Sequence, residues 1–303
     1  MKLNEMRVLQ ALKDGLCKSA KGKGLLLTEK DFGSKRWNKS EKRVFYLFDK
    51  RNNLFDIPNH KTELGTGVEA VRSSAAMVYN LLGEKEFILD HKVYSGAKFE
   101  KTFPAIIDEP GNSHEAHLDA VFHSSDNTEM YAVEAKLLEW KDSPKNLAKA
   151  YLDKDMYLDS NKERQVFIDF FHSLVHQEED KEGRYKHKTK TYDAIQMTIH
   201  TLALYNHFSQ YPTSTVKKLT LQNIVWKYDC DEYETEEKEA FDYMQNANEQ
   251  FAPLFKKLGI DFSIQYSTFQ DFKKRIDFTN AQKRFDYLKR YEIRTGKEFT
   301  KPI

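Results

Sequence analysis

Residues 131–140, YAVEAKLLEW, end an apolar run with a glutamate and a lysine two positions apart. Because side chains alternate between the two faces of a strand, Glu134 and Lys136 are predicted to point the same way as Met130 and Ala132. Charged residues are seldom buried without a partner, so a pair of them on a core-like strand needs an explanation. These two residues are the first candidates for chemistry in the chain.

A second carboxylate precedes Glu134 by fifteen residues. The sequence SDNT at 125–128 is typical of a tight hairpin loop, and such a loop places Ser124 opposite Glu129. The same register puts Asp119 directly opposite Glu134, so that two carboxylates and the ammonium of Lys136 converge. Like charges that face each other across a strand pair are destabilising. We therefore expect a divalent cation here, since hard cations such as Mg²⁺ prefer carboxylate, carbonyl and water oxygens.

The chemistry that these groups suit is metal-assisted hydrolysis of a phosphodiester, with Lys136 holding or polarising a water molecule beside the metal. The Glu-x-Lys triplet is weak evidence by itself, because it also begins at Glu139, Glu179 and Glu236. Those three lie in segments that predict helices or acidic loops, where a solvated surface is the simplest interpretation. Glu134 alone combines an apolar strand, an upstream aspartate and a suitable turn; a surface salt bridge at a strand end is the alternative.

Hydrophobic periodicity indicates the elements that must position these residues. Apolar residues spaced alternately by four and three predict a helix with one buried face, and Gly83 is suited to end it. That stripe consists of Leu64, Val68, Val71, Ala75, Val78 and Leu82. Strands are expected at 99–107, 118–124 and 129–138. A long helical region is expected from Pro144 to about Phe208, with breaks near Ser160 and across 178–190.

Further along, the pattern predicts a strand at 219–228, a helix and a strand at 260–266. The helix carries in register Met244, Ala247, Phe251, Leu254 and Leu258. This order of elements implies an α/β or α+β sheet with helices packed on it. Residues 1–60 form a mixed N-terminal extension with a short helix at 6–12 and a strand at 43–48, and 281–294 predict a basic amphipathic helix. The absence of repeats and low-complexity linkers favours one domain over 61–303.

Composition and charge exclude several classes of protein. Two distant cysteines, Cys17 and Cys230, suggest neither a disulfide framework nor a thiolate zinc site. The N-terminus is too polar for a signal peptide and no apolar run approaches the roughly 20 residues that span a bilayer, so a cytoplasmic protein without membrane contact is expected. The net charge of +1 is uninformative about nucleic acid. Locally, 34–43 hold five Lys or Arg and 183–190 hold four; such runs are solvated loops or phosphate contacts.

Histidines offer a rival metal site. One group, His114, His117 and His123, surrounds the Asp119 strand, and His172 and His176 are four residues apart. The spacing HEAH is not that of a helical HExxH zinc motif, and the aromatic surroundings of the second pair favour histidines that flank the core. No Walker-type loop, GxGxxG or GxSxG is present, which argues against an NTPase, a dinucleotide enzyme or an α/β-hydrolase.

Asp119 followed by VEAK, between an upstream amphipathic helix and a downstream helix and strand, resembles the PD-(D/E)XK nuclease superfamily. The segments LDAVF, YAVEAKLLEW, AVRSSAAMVYNLLG and AIQMTIHTLALYN are similar to an uncharacterised bacterial branch with restriction-endonuclease-like folds. The likeness covers roughly residues 62–230. It implies a mixed central sheet flanked by helices, with core order αβββαβ and N- and C-terminal extensions. His117-Leu118 stand where the family often has a proline, which is not a ligand.

The resemblance implies that Asp119 and Glu134 bind Mg²⁺ or Mn²⁺, with the backbone carbonyl of Ala135 as a third ligand. It implies that Lys136 orients or activates the attacking water. The family often adds a glutamate from the first helix; Glu69 fits this role best.

Glu63 is the reserve for that glutamate, since it may precede the helix proper. Relatives also carry a glutamine in the helix after the Glu-x-Lys strand, and here Gln196 shares a helix face with His200. A solvated helix residue remains the alternative for Glu69, and a polar helix flank for Gln196 and His200.

Two classes of function follow. The first is a metal-dependent nuclease that cleaves nucleic acid, with DNA the expected substrate in restriction, repair or defence. The second is a catalytically silent module that keeps the fold to bind nucleic acid or a protein partner. The intact Asp119, Glu134 and Lys136 favour the enzyme, because a silent module would be free to lose one of them. A homodimer is left open.

Overall fold

A computed structural model of the 303-residue chain provides the structure. It describes Gln10, Leu12 and Asp14 and residues 74–109, 112–137, 144–158, 163–227 and 231–277. The strand predicted at 43–48, the basic segment at 34–43 and the predicted C-terminal helix lie outside these residues. The division into an extension and one domain stays a prediction.

Six strands follow the first described helix, and helices and strands then intermix along the rest of the chain. In order they are α1 (Ser74–Leu82), β1 (Glu86–Leu89), β2 (Lys92–Ser95), β3 (Lys98–Glu109), β4 (Asn112–His123), β5 (Glu129–Lys136), β6 (Leu147–Ala148), α2 (Glu163–Leu174), β7 (Val175–Glu179), β8 (Arg184–His187), α3 (Ala194–Gln210), β9 (Lys218–Val225), α4 (Asp231–Lys257), β10 (Asp261–Thr268), α5 (Phe269–Lys274) and β11 (Ile276–Asp277). No described helix has both the length and the apolar character needed to cross a bilayer.

A five-stranded mixed sheet forms the centre, in the order β10-β9-β5-β4-β3. The strands β3, β4 and β5 are antiparallel neighbours, whereas β9 runs parallel to β5 and β10 runs parallel to β9. Two three-stranded sheets, β11-β1-β2 and β6-β8-β7, lie outside it. Parallel neighbours require a crossover, which the segment with α2 and α3 supplies between β5 and β9. The molecule is therefore α/β, as predicted.

Helices cover both faces of this sheet. On one face, α1 packs with Tyr131, Val133 and Ala135 in one hydrophobic cluster. On the other face, residues of α2, α3 and α4 form a second cluster with Met130 and Ala132. The alternation of β5 therefore follows the predicted pattern, and it turns Glu134 and Lys136 toward α3 rather than toward α1.

The hairpin between β4 and β5 has the predicted loop and register. The N–H of Ser124 donates to the carbonyl of Glu129 at 2.9 Å, and Cα partners run from Ala120 with Val133 to His123 with Met130. Asn127 has a φ of 57°, a left-handed conformation that asparagine tolerates better than most residues. The loop chemistry thus sets this register, which ends at Ala120 and Val133, one residue before Asp119 and Glu134.

The helix that ends at Gly83 differs from the prediction in its burial. It stops at Leu82 as expected, and the N–H of Gly83 donates to the carbonyl of Tyr79, which a Cβ on Gly83 would clash with. However, every residue of Ser74–Leu82 is buried, so the expectation of one buried face is wrong over this part. Residues of β1, β2 and α5 belong to the same hydrophobic cluster as α1.

The expectation of a long helical region from 144 to 208 is also wrong in part. Residues 144–158 contain the short strand β6 and two 3₁₀ turns, Lys149–Leu152 and Lys154–Met156. The break predicted across 178–190 lies within the hairpin of β7 and β8, so part of the basic segment 183–190 is a strand rather than a loop. The hairpin of β1 and β2 was not predicted, because its turn uses Asp90 and His91 at positive φ rather than glycine.

Two carboxylates of α4 are directed inward. Glu236, expected on a solvated surface, is 1% exposed and accepts a hydrogen bond from the hydroxyl of Tyr266 at 2.6 Å. Glu239 accepts hydrogen bonds from the backbone N–H groups of Lys190, Thr191 and Tyr192. Glu239 thereby attaches α4 to the segment that leads into α3.

We predict that Glu236→Gln stabilises the protein in alkaline solution. Burial raises the pKa of Glu236 to about 8, so ionising it in the folded state becomes costly and stability falls as pH rises from roughly 4.5 to 8. Glutamine keeps the acceptor for Tyr266 without the charge. Urea unfolding should show little change at pH 5 and a gain on the order of a few kcal/mol at pH 9. The exposed Glu249→Gln on the same helix is the control, and equal effects for both variants would contradict the prediction.

Candidate active site

The candidate site lies where β4 and β5 stop pairing. The last Cα partners toward this end are Ala120 and Val133. Beyond them, the N–H of Ala135 donates to a carboxylate oxygen of Asp119 at 2.6 Å instead of to a backbone carbonyl of β4. A carboxylate is a stronger acceptor than a neutral carbonyl, so this bond holds Asp119 against the end of the ladder.

The backbone of β3 is distorted beside Asp119. The strands β3 and β4 keep one register on both sides of Asp119. However, Glu100, which lies opposite Asp119 on β3, has a φ of 50°. A left-handed conformation costs a non-glycine residue about 1–2 kcal/mol. Along β4, Leu118 packs in the cluster with α3, whereas Ala120 packs in the cluster with α1. Residues two apart on a regular strand would share a face, so the alternation of β4 is interrupted at Asp119.

Glu134 is an ionised carboxylate in the interior. It is 4% exposed; one oxygen pairs with the ammonium of Lys136 at 2.7 Å and the other accepts from Nε2 of His200 at 3.1 Å. Burial pushes the pKa of Glu134 upward, but Lys136 and His200 outweigh burial and lower that pKa to about 2. The charge is therefore fully developed at neutral pH.

Lys136 joins Glu134 to the start of α3. Its ammonium donates to the side-chain carbonyl of Gln196 at 2.7 Å, and Gln196 lies in the first turn of α3, which the side chain of Asp193 caps. Burial opposes its charge, yet the carboxylates of Glu134 and Asp193 raise the pKa of Lys136. Its side chain remains 20% exposed, so a small molecule can approach it from solvent. Gln196 and His200 share a helix face as predicted, and both contact the Glu-x-Lys strand.

Asp119 experiences the opposite environment from Glu134. Burial raises the pKa of Asp119 well above its usual range, and the neighbouring charges of Glu134 and Glu100 raise it further. An added cation would relieve this repulsion. The donors are hard oxygens, and Mg²⁺ often takes only one or two carboxylates and keeps several waters. The residues present therefore fit a small hard cation such as Mg²⁺ or Mn²⁺.

Other predicted ligands are not tested by the described residues. Glu69 and Glu63 lie outside them, since α1 is described only from Ser74. Within the described part of the chain, no group of three or more His, Cys, Asp or Glu side chains is arranged to hold a metal. The carbonyl of Ala135 stays a predicted ligand.

The rival histidines are dispersed. His114 lies edge-on to the ring of Tyr151. His172 and His176 are exposed on the surface, so the expectation that they flank the core is wrong. The helix α2 turns its phenylalanines inward and leaves His172 on the solvent side, whereas His176 is an exposed residue of β7.

From the sequence, His200 was predicted only to share a helix face with Gln196 or to be a polar helix flank, and Asn223 was not predicted as a site residue. Asn223 is aligned with Glu134 across the parallel strands β5 and β9, and its side-chain amide donates to the carbonyl of Glu134 at 3.2 Å. A signal was present: Gln222 and Asn223 interrupt the apolar strand LTLQNIVW. Buried polar side chains in a strand usually have a specific partner.

Comparisons of the chain with family models, with curated proteins and with solved structures found no match.

We predict that replacing the two carboxylates shifts stability in opposite directions at pH 7.5 in a chelator. Asp119→Asn should raise the melting temperature, because the ionised Asp119 becomes costly above roughly pH 4 and asparagine still accepts from Ala135. Glu134→Gln should lower it, because the depressed pKa of Glu134 marks a stabilising charge at this pH and Lys136 would lose its partner. Each kcal/mol corresponds to about 2–4 °C. Shifts of the same sign would contradict this assignment of charges.

Proposed function

We propose that this chain is a metal-dependent nuclease of the PD-(D/E)XK type that hydrolyses phosphodiester bonds, with DNA as its substrate. The observation that carries the proposal is the meeting of Asp119, Glu134 and Lys136 at one end of the β4–β5 ladder. Two adjacent carboxylates, of which one is destabilised by the other, lie beside an ammonium held by Gln196. That combination suits a cation, a phosphate and a water better than it suits a structural salt bridge.

The order of elements supports the same proposal. The described core consists of α1, the antiparallel strands β3 to β5, a crossover with α3, and β9 parallel to β5. Apart from the intervening α2 and the smaller sheets, this order is compatible with the αβββαβ core that the resemblance implies. Asp119 lies on the second core strand, Glu134 and Lys136 lie on the third, and Gln196 lies at the start of α3; the resemblance implies a similar placement.

Asp119, Glu134 and the carbonyl of Ala135 would hold Mg²⁺ or Mn²⁺, with Glu69 of the first helix as a further proposed ligand. When bound, the cation lowers the pKa of a coordinated water and neutralises charge on the phosphate. Lys136 is placed to orient that water and to stabilise negative charge that develops on the scissile group. Gln196 fixes the ammonium through its side-chain carbonyl, which limits the rotamers that Lys136 samples.

A basic segment precedes the helix that carries Gln196. Lys186 on β8 and Lys190 are exposed, and Lys190 lies three residues before Asp193, the cap of α3. Arg184 is engaged with Asp180 and Glu182, and the ammonium of Lys188 donates to a backbone carbonyl. Lys186 and Lys190 are therefore the proposed phosphate contacts of this segment.

The principal test is cleavage of plasmid, linear and single-stranded DNA and of RNA, with and without Mg²⁺ or Mn²⁺. Lys136→Ala should reduce the rate at least 100-fold and largely preserve cation binding, measured by calorimetry, because lysine is not a ligand. Asp119→Asn should lower the cleavage rate and weaken cation binding, because an anionic ligand becomes neutral. Lys256→Ala and Asp261→Asn, at the opposite end of the sheet, are matched controls. If both site variants cut as fast as the wild type, the silent binding module becomes the better interpretation.

A second test addresses the basic segment. In a Lys136→Ala background, Lys186→Ala/Lys190→Ala should weaken DNA binding and reduce the slope of log K against log salt by about 2, since each phosphate contact contributes close to one. Fluorescence anisotropy between low and moderate salt measures the slope. Lys217→Ala/Lys256→Ala removes equal charge from exposed positions at the far end of the sheet and should leave the slope unchanged. Equal effects of the two double variants would remove 183–190 from the proposed interface.

A further inference from the structure

His200 makes its polar contact with Glu134. It is 2% exposed, and its Nε2 donates to the carboxylate oxygen that Lys136 does not contact. It projects from the second turn of α3, one turn after Gln196. The two polar residues on this face of α3 therefore hold the two charged residues of the Glu-x-Lys strand, one each.

The other ring nitrogen of His200 is buried and has no hydrogen-bond partner among the described residues. A buried polar atom without a partner is destabilising, because it has lost its hydrogen bonds to water. If His200 served only the packing of α3, an apolar residue of similar size in its place would make the protein more stable. Its retained contact with Glu134 therefore points to the site rather than to the core.

Asn223 repeats the pattern on the neighbouring strand. Its amide nitrogen donates to the backbone carbonyl of Glu134, while its side-chain oxygen is buried and lacks a partner in the described part of the chain. Two buried side chains thus each leave one polar atom unpaired and direct the other to the same glutamate. His200 holds the carboxylate of Glu134, and Asn223 holds its peptide group.

We infer that His200 is a positioning residue that sets the rotamer of Glu134 for cation binding, an inference that rests on the nuclease proposed above. By occupying one carboxylate oxygen, His200 leaves the other oxygen turned toward Lys136. Asn223 supports the same geometry from the backbone. Hydrogen-bond partners of metal ligands commonly contribute 10–100-fold to metal affinity, because an unsupported ligand must be ordered when the metal binds.

The test compares variants of His200 by the affinity for Mn²⁺, measured by calorimetry, together with melting temperature, kcat and KM. His200→Leu removes the donor, His200→Asn has a polar group that is too short to reach Glu134, and His200→Gln places an amide N–H near the position of Nε2. His207→Leu is the matched control, since His207 lies two turns further along α3 and contacts the rings of Phe103 and Tyr211.

We expect His200→Leu and His200→Asn to bind Mn²⁺ at least 10-fold more weakly and to lose kcat with little change in KM for DNA. His200→Gln should recover binding to within about 3-fold of the wild type, and His207→Leu should bind normally. If His200→Leu fails to fold, the contrast between His200→Asn and His200→Gln decides. Wild-type affinity in every folded His200 variant would overturn the positioning role and leave the nuclease proposal intact. A wild-type protein that neither binds Mn²⁺ nor cleaves would instead overturn the nuclease proposal itself.

Discussion

The interaction on which the site depends is the buried ion pair of Glu134 and Lys136. Removing a carboxylate from water costs several kcal/mol unless an opposite charge and hydrogen bonds satisfy it. Here one oxygen of Glu134 meets the ammonium and the other meets His200. The strand β5 turns both residues toward α3, and α3 presents Gln196 and His200 one turn apart to supply the remaining hydrogen bonds. The packing of α3 on the sheet is therefore inseparable from the electrostatics of the site.

Asp119 shows how one site gives two carboxylates different properties. Glu134 lies beside two donors and keeps its charge, whereas Asp119 accepts a hydrogen bond from the N–H of Ala135 and experiences the charge of Glu134. The ladder ends here, and β3 adopts a left-handed residue alongside. A regular sheet would have satisfied the N–H of Ala135 with a backbone carbonyl and left the carboxylate unpaired. The irregularity is what allows a side chain to take that position.

The elements around the site are themselves joined by polar contacts. Glu239 of α4 accepts from three successive N–H groups immediately before α3, and Asp193 then caps α3 through the N–H of Gln196. Side-chain oxygens thus satisfy the backbone donors that a helix start leaves free. Because Gln196 lies in the first turn of α3, this network fixes the backbone position of the residue that contacts Lys136. Glu236, one turn earlier on α4, adds a buried acceptor for Tyr266 on the edge strand β10.

The sequence by itself determined which residues meet at the site, but not the break in the β4–β5 ladder at Asp119. The loop SDNT and the alternation of β5 place Asp119, Glu134 and Lys136 together, because a two-residue period and a short turn leave one register that buries Tyr131 and Val133. The i,i+4 spacing places Gln196 and His200 on one face for a similar reason. The tertiary structure alone decided which partners these residues meet: His200 with Glu134, Asn223 with its peptide group, and Glu236 in the interior. Those contacts join residues from 30 to 89 positions apart, and a one-dimensional pattern carries no information about which helix face will lie over which strand.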